Sequence, residues 1–219
     1  MNSPFSLRNL LVLGALSAVL AVPAAAQPGS SDPLWAGKVD TGRAFTLEKT
    51  LDMPADELYK LWTTRDGIRT FFAPEIHLDL EVGGRYEIVF DPIKDPAGAK
   101  IGSHGARLLR LVPGRELAFD FTFPPFGPEL NTKPYPTWVE IHLKPVEEAP
   151  GKTHLSLIHR GWPEGETWSK VFVMFRDQHW PLVLTRLETY VRDGKPYAWS
   201  SDKQRQAQPA QSSNSSGQP

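Results

Sequence analysis

The sequence contains no cysteine, which excludes disulfide bonds, thiolate metal ligands and cysteine nucleophiles together. The fold must therefore be held by its hydrophobic core. An excess of basic charge is also absent, because 24 Lys and Arg residues stand against 25 Asp and Glu residues. Nucleic-acid binding usually requires a basic face, so we expect no nucleic-acid partner. No internal repeat is visible.

The first residues have the order of a secretory signal. Arg8 precedes an apolar run over residues 10–22, and Pro23 is followed by three alanines that end at Ala26. The run is shorter than the roughly 20 residues that span a bilayer, and small residues suit a signal peptidase. We expect cleavage after Ala26, export to the periplasm or medium, and no stable membrane anchor afterwards. An uncleaved anchor is the alternative. Cleavage would remove Arg8 and no acidic residue, so the remaining chain would have 23 basic and 25 acidic residues, a formal charge of −2.

One domain is expected between two ends of different composition. Residues 27–37 are predicted to be a linker, and residues 38–199 have the length of a single domain. Residues 200–219 are rich in Gln and Ser and hold no large apolar side chain. Because such a composition cannot offset the entropy of ordering, we predict a disordered tail there.

Hydrophobic periodicity predicts an α+β fold. Apolar residues alternate with polar ones in seven segments, which indicates strands with one buried face. These segments are residues 45–51, 75–80, 86–90, 107–112, 116–123, 138–144 and 153–159. Helical spacing marks two short helices, 54–62 and 66–70, and one long amphipathic helix, 167–192, which Pro181 should kink near Asp177. The economical packing is a curved antiparallel sheet wrapped around the long helix.

Five stretches in this order resemble the START-like, or SRPBCC, superfamily, in the branch named for activators of the heat-shock protein 90 ATPase. The stretches are residues 53–62, 71–74, 79–86, 153–162 and 179–187. The resemblance implies a helix-grip fold with an elongated, largely apolar cavity between the sheet and the long helix. It does not imply one function, because the superfamily includes lipid carriers, hormone receptors, cyclases and co-chaperones.

Inward-facing residues on these elements are the candidates for lining the cavity. They are Trp62, Tyr86, Phe119, Phe121, Phe123, Ile141, His159, Arg176 and Trp180. Two features depart from the family pattern. A loop with five prolines over residues 124–136 is a candidate cap for the cavity mouth, and Arg176 stands where relatives often carry a histidine.

His159 and Arg176 are the two polar candidates, and each has two interpretations. By strand parity His159 faces inward with Leu157, either as a hydrogen-bonded core histidine or as a ligand contact or general base. A base would need an orienting carboxylate, whereas Glu140 and Asp120 are predicted to point outward. Arg176 is either a solvated helix charge or a cation that binds a carboxylate headgroup. No catalytic set is visible, and we expect no metal or other cofactor.

Three functions remain open at this point. The leading hypothesis is an exported, non-catalytic protein that binds a small apolar or amphipathic molecule in the helix-grip cavity. The second is an enzyme of the cyclase or hydrolase type acting on such a ligand. The third is a protein-interaction module similar to the co-chaperone branch, against which export argues. The sequence leaves the ligand and the oligomeric state open.

Overall fold

Residues 38–94, 100–123, 130 and 133–200 are described by a computed structural model of the chain. The predicted signal and linker, all but the first residue of the predicted tail, and most of the proline-rich loop lie outside these residues. Within them, no helix is both long and apolar enough to cross a membrane.

Eight strands and four helices form the described part of the fold. The strands are β1 (Phe45–Leu51), β2 (Glu75–Leu78), β3 (Tyr86–Lys94), β4 (Lys100–Gly102), β5 (Leu108–Val112), β6 (Glu116–Asp120), β7 (Trp138–Pro145) and β8 (Thr153–Arg160). The helices are α1 (Ala55–Thr63), α2 (Arg65–Phe71), α3 (Glu166–Met174) and α4 (Trp180–Asp193), and a π-helical turn, Phe175–His179, joins the last two. The predicted element order is confirmed, but β4 and the π turn were not predicted.

Two antiparallel sheets meet along one edge. The larger has the order β1-β8-β7-β6-β5, and the smaller has the order β2-β3-β4. The Gly83 N–H donates to the carbonyl of Leu108 at 2.7 Å, and the Leu108 N–H donates back to Gly84 at 2.9 Å. These bonds join the sheets into one curved surface. Together with the long C-terminal helix they confirm the predicted helix-grip arrangement.

The sheet register places the inward side chains in rows. Phe45 pairs with His159, His159 with Val139, and Val139 with Phe119. All four residues are buried, so one row crosses four strands on the inner face. Phe121 lies beyond the end of β6, but its N–H still donates to the Thr137 carbonyl at 3.1 Å. The inward alternation therefore continues past the regular strand.

Helices α1 and α2 pack closely at their junction. Helix α1 buries Leu58, Leu61 and Trp62, the stripe predicted from helical spacing. The Thr64 hydroxyl caps α2 by accepting from the Gly67 N–H at 3.1 Å. A Cβ atom on Gly67 would lie 2.5 Å from the Leu61 Cα, so only glycine allows this approach.

The outer face of the sheet is covered near β6, which the alternating pattern did not predict. Asp120 and Thr122 point away from the aromatic face, as parity requires, yet both are buried. Lys38 forms a buried ion pair with Asp120 and also donates to the Tyr135 carbonyl. Thus the chain just before β1 and the chain just before β7 shield this carboxylate from water.

Candidate functional site

Eight of the nine predicted cavity residues come together in the hydrophobic core. Trp62, Tyr86, Phe119, Phe121, Phe123, Ile141, His159 and Trp180 are each at most 1 % exposed. The seven hydrophobic residues belong to one core cluster, and His159 contacts its rings. They lie on α1, on or directly beside the two sheets, and on α4. Trp62 and Trp180 are more than a hundred residues apart in the sequence. The aromatic residues among them contact each other or neighbouring rings, so this region is a packed aromatic centre.

His159 lies inside that centre, surrounded by aromatic rings. Its ring centroid is 4.4 Å from that of Trp162 and 5.2 Å from that of Phe121. The Trp180 indole N–H donates to its Nδ1 at 3.1 Å. Because Nδ1 accepts, the proton of the neutral ring is on Nε2, and Nε2 is buried with no hydrogen-bond partner in the described part of the chain. The structure thus matches the interpretation of His159 as a hydrogen-bonded core histidine.

The protonation state of His159 argues against general acid–base catalysis by this residue. Burial lowers the pKa of His159 well below its ordinary value, and nearby His179 lowers it further. The ring is therefore neutral at physiological pH. Its basic nitrogen is occupied by Trp180, and Glu140 lies on the opposite face of the sheet, where it bonds to Trp138 and His142. No carboxylate of the described ranges orients the imidazole as a general base requires.

Trp62 and Tyr86 form a second part of the aromatic centre. The Tyr86 hydroxyl donates to the Trp62 carbonyl at 2.8 Å, and the Tyr86 ring lies 4.3 Å from that of Phe119. Burial raises the pKa of Tyr86, so its hydroxyl stays protonated. These contacts tie α1 to the sheet and give the tyrosine a structural hydrogen bond.

Arg176 is not part of the centre. It lies exposed on the π turn, where its Nε is 2.6 Å from Oδ1 of Asp177, and its guanidinium lies 5.6 Å from the ring of Phe172. The structure therefore places it as a solvated helix charge rather than as a cation facing the buried rings.

A cleft of about 180 Å³ opens beside the centre, between the end of α2, strand β3 and helix α4. Its wall is formed by Phe72, Ala73, Pro74, Phe90, His179, Leu182, Val183, Arg186, Tyr197, Trp199 and Ser200. None of the nine predicted residues is among them. Phe72 connects the two regions, because its ring centroid is 5.5 Å from that of Trp180. The cleft combines aromatic and aliphatic walls with the imidazole of His179 and the guanidinium of Arg186.

The chain after α4 closes one side of this cleft. Gly194 ends the helix in a left-handed conformation, with φ of 65°, and the chain then turns back along α4. The Trp199 indole N–H donates to the Arg69 carbonyl at 2.7 Å, and the Tyr197 N–H donates to the Thr70 carbonyl at 2.7 Å. These two bonds fix the segment against α2.

His179 and Arg186 supply buried nitrogen atoms to the wall of the cleft. The Nε2 of His179 and the Nε of Arg186 are both buried without a hydrogen-bond partner among the described residues. Burial, followed by the charge of Arg186, lowers the pKa of His179 to about 4. At neutral pH the cleft therefore holds one neutral imidazole and one guanidinium.

The cleft residues were not predicted from the sequence, although two signals were present. Tyr197 and Trp199 are large aromatic residues just after a helix-ending glycine, which indicates a segment that docks on the domain. His179 and Arg186 are seven residues apart and so share one side of a helix. Within the described residues no group of three or more His, Asp or Glu side chains is placed to hold a metal ion.

Fold and site define a helix-grip protein whose aromatic centre is bordered by a small mixed cleft. The chain belongs to the family described as "Activator of Hsp90 ATPase homolog 1-like protein", whose sequence profile matches residues 52–192. This assignment confirms the branch indicated by the five sequence stretches. No curated protein matches the chain.

Solved structures show the same fold at low sequence identity. A protein from Mesorhizobium loti has a TM-score of 0.52 and 17 % identity, covering 71 % of this chain and 100 % of that one. The Aha1 dimer from Colwellia psychrerythraea has a TM-score of 0.51 and 19 % identity, covering 70 % and 98 %. A Rhodobacter sphaeroides protein has a TM-score of 0.52 and 17 % identity, covering 70 % and 95 %. At these identities the likeness concerns the fold alone.

Proposed function

We propose that this protein is an exported, non-catalytic binding protein for a small amphipathic molecule. The cleft beside α4 is the observation that supports this function. It offers apolar contact surface from Phe72, Phe90 and Val183 together with the polar atoms of His179 and Arg186. Ligand pockets typically combine mostly apolar walls with a few polar groups that fix orientation.

The size of the cleft limits the ligand. A buried cavity of about 150 Å³ is known to hold a benzene molecule. A cleft of about 180 Å³ therefore suits one ring or a short branched chain with one polar group. A long acyl chain does not fit within the cleft alone.

A binding role is favoured over catalysis because the described residues place no reactive constellation at the cleft. Burial keeps His179 neutral, its Nε2 has no carboxylate partner among these residues, and a guanidinium is a poor proton-transfer group. His159, the histidine of the aromatic centre, is enclosed by rings and accepts a hydrogen bond from Trp180. These features suit recognition of a ligand rather than its conversion.

The experiment compares two matched tryptophan substitutions. Leu182 lines the cleft and is 51 % exposed, whereas Leu80 lies in the turn after β2 and is 52 % exposed. Titrations by NMR with phenylacetate, phenylacetamide and cyclohexanol should show shifts at the cleft in the wild type. We expect L182W to weaken this binding by roughly tenfold, because the larger ring obstructs the cleft, and L80W to leave it unchanged. Equal binding by both variants would place the ligand elsewhere.

Export is tested separately from binding. The segment before residue 27 supports it through the basic residue, short apolar run and terminal alanines of a signal. Expression of the full chain in a bacterial host, followed by fractionation and mass measurement, should give a periplasmic or secreted product that begins at Gln27. An uncut chain in the cytoplasmic fraction would contradict export while leaving the binding proposal intact.

A further inference from the structure

Several arginines of the fold pair with a carboxylate, but Arg186 does not do so within the described residues. Arg110 pairs with Glu116, Arg160 with Glu140, and Arg192 with Asp193. No carboxylate among the described residues pairs with Arg186, and its Nε is buried without a partner. Arg186 is half-buried, so its charge is only partly solvated, and a counter-ion at this position would be stabilising.

Aromatic rings hold the Arg186 guanidinium in place at the wall of the cleft. It lies 3.9 Å from the ring centroid of Tyr197 and 5.2 Å from that of Trp199. Stacking of this kind positions the planar group while leaving its edge N–H donors free to bind an anion. The same two aromatic residues belong to the segment fixed against α2, so the position of the cation is determined by the fold.

His179 adds a neutral polar atom on the same side of α4. Because the imidazole is uncharged, it cannot repel or neutralise a bound anion, but it can donate one hydrogen bond through Nε2 in the appropriate tautomer. Arg186 is the only cation among the lining residues. One positive charge balances one negative charge, which favours a monoanion over a doubly charged phosphate ester.

We propose that the cleft recognises a small aromatic or branched monocarboxylic acid, with its carboxylate on Arg186 and its apolar part against Phe72, Phe90 and Val183. This inference rests on the proposed binding function and names the chemical class of its ligand. The unpaired Nε2 of His179 donates to the second carboxylate oxygen. The aromatic centre, including Trp180, lies behind the cleft and gives its wall rigidity.

The test separates the charge of the ligand from its shape. Phenylacetate and phenylacetamide have nearly the same shape but differ by one negative charge. Calorimetric or NMR titration should give the acid an affinity roughly tenfold to a hundredfold above that of the amide, the range for a hydrogen bond to a charged group. In R186M, which keeps the apolar stem, the acid should lose this advantage while the amide keeps its affinity.

Two further variants serve as controls. R192M changes an exposed arginine on the same helix that pairs with Asp193, and it should leave both affinities unchanged. R186K keeps the charge and should retain part of the preference for the acid, and circular dichroism shows whether each variant is folded. Equal affinities for acid and amide in the wild type, or no effect of R186M, would refute the carboxylate proposal while the binding function stands. Failure of both probes in the millimolar range would refute both.

Discussion

Lowering the pH should destabilise this protein through its buried histidines, and His179 allows the size of the effect to be worked out. Burial, with a smaller contribution from Arg186, lowers its pKa to about 4, against about 6.5 in the unfolded chain. At pH values between these two pKa values, the unfolded state binds a proton that the folded state does not bind. The stabilising contribution is therefore complete above pH 6.5 and is lost as pH falls towards 4.

The magnitude follows from the difference in pKa. One unit corresponds to about 1.36 kcal/mol, so the full window of about 2.5 units is worth about 3 kcal/mol, and about 2 kcal/mol is lost by pH 5. His159 is also shifted downward by burial and adds to the loss in the same direction. We therefore expect the free energy of unfolding to fall steeply in mildly acidic solution.

The assay is urea unfolding followed by tryptophan fluorescence at about pH 7.5 and about pH 5. In H179F, which keeps a ring next to Phe175 and Trp180 but cannot titrate, the loss of stability between the two pH values should shrink by about 2 kcal/mol. H154F changes a histidine whose side chain is 40 % exposed and serves as the control. An equal pH dependence in H179F and the wild type would refute the argument.

Two further predictions concern ionic groups on the outer face of the sheet. Burial would raise the pKa of Glu140, but hydrogen bonds from His142 and Trp138 and the charge of Arg160 lower it to about 2. Glu140→Gln should therefore reduce the free energy of unfolding by about 2 kcal/mol at neutral pH. The difference in this free energy between the variant and the wild type should become smaller below about pH 4.5. A difference that stays constant with pH in urea titrations would contradict this linkage. Lys38→Met should cost about 3 kcal/mol by leaving Asp120 buried without its cation, and adding Asp120→Leu should recover most of that loss. If the single and double variants are equally unstable in urea, the ion pair is not the cause.

Local periodicity was sufficient to predict which side chains face the core. The alternation over residues 116–123 put Phe119, Phe121 and Phe123 on one face, and all three are buried. This works because a strand's period of two is fixed by backbone geometry and does not depend on distant contacts. The same pattern gave the correct direction of Asp120 but not its burial, since the residues that cover its side of the sheet come from elsewhere in the chain.

The cleft could not be predicted because it depends on contacts between distant segments. Arg69 and Trp199 are joined by a hydrogen bond across 130 positions. Whether a polar helix residue such as Arg186 faces solvent or a cleft is decided by the segment that folds over it. The local sequence around the arginine is the same whether its side chain faces solvent or a cleft. The local signals were limited to the aromatic residues after Gly194 and the seven-residue spacing of His179 and Arg186.

The π turn before α4 explains how neighbouring residues come to serve the two regions. In an uninterrupted α-helix the inward stripe through Phe175 would continue three or four residues later, near His179. The π turn adds one residue to this turn, so the stripe continues instead at Trp180, five positions on, where the indole bonds to His159. Pro181, which has no N–H to donate, lies at the position where the regular α-helical ladder is already interrupted. His179 is thereby moved to the side of the stripe, where it lines the cleft, and one turn of irregular helix thus separates a packed aromatic centre from a candidate binding surface.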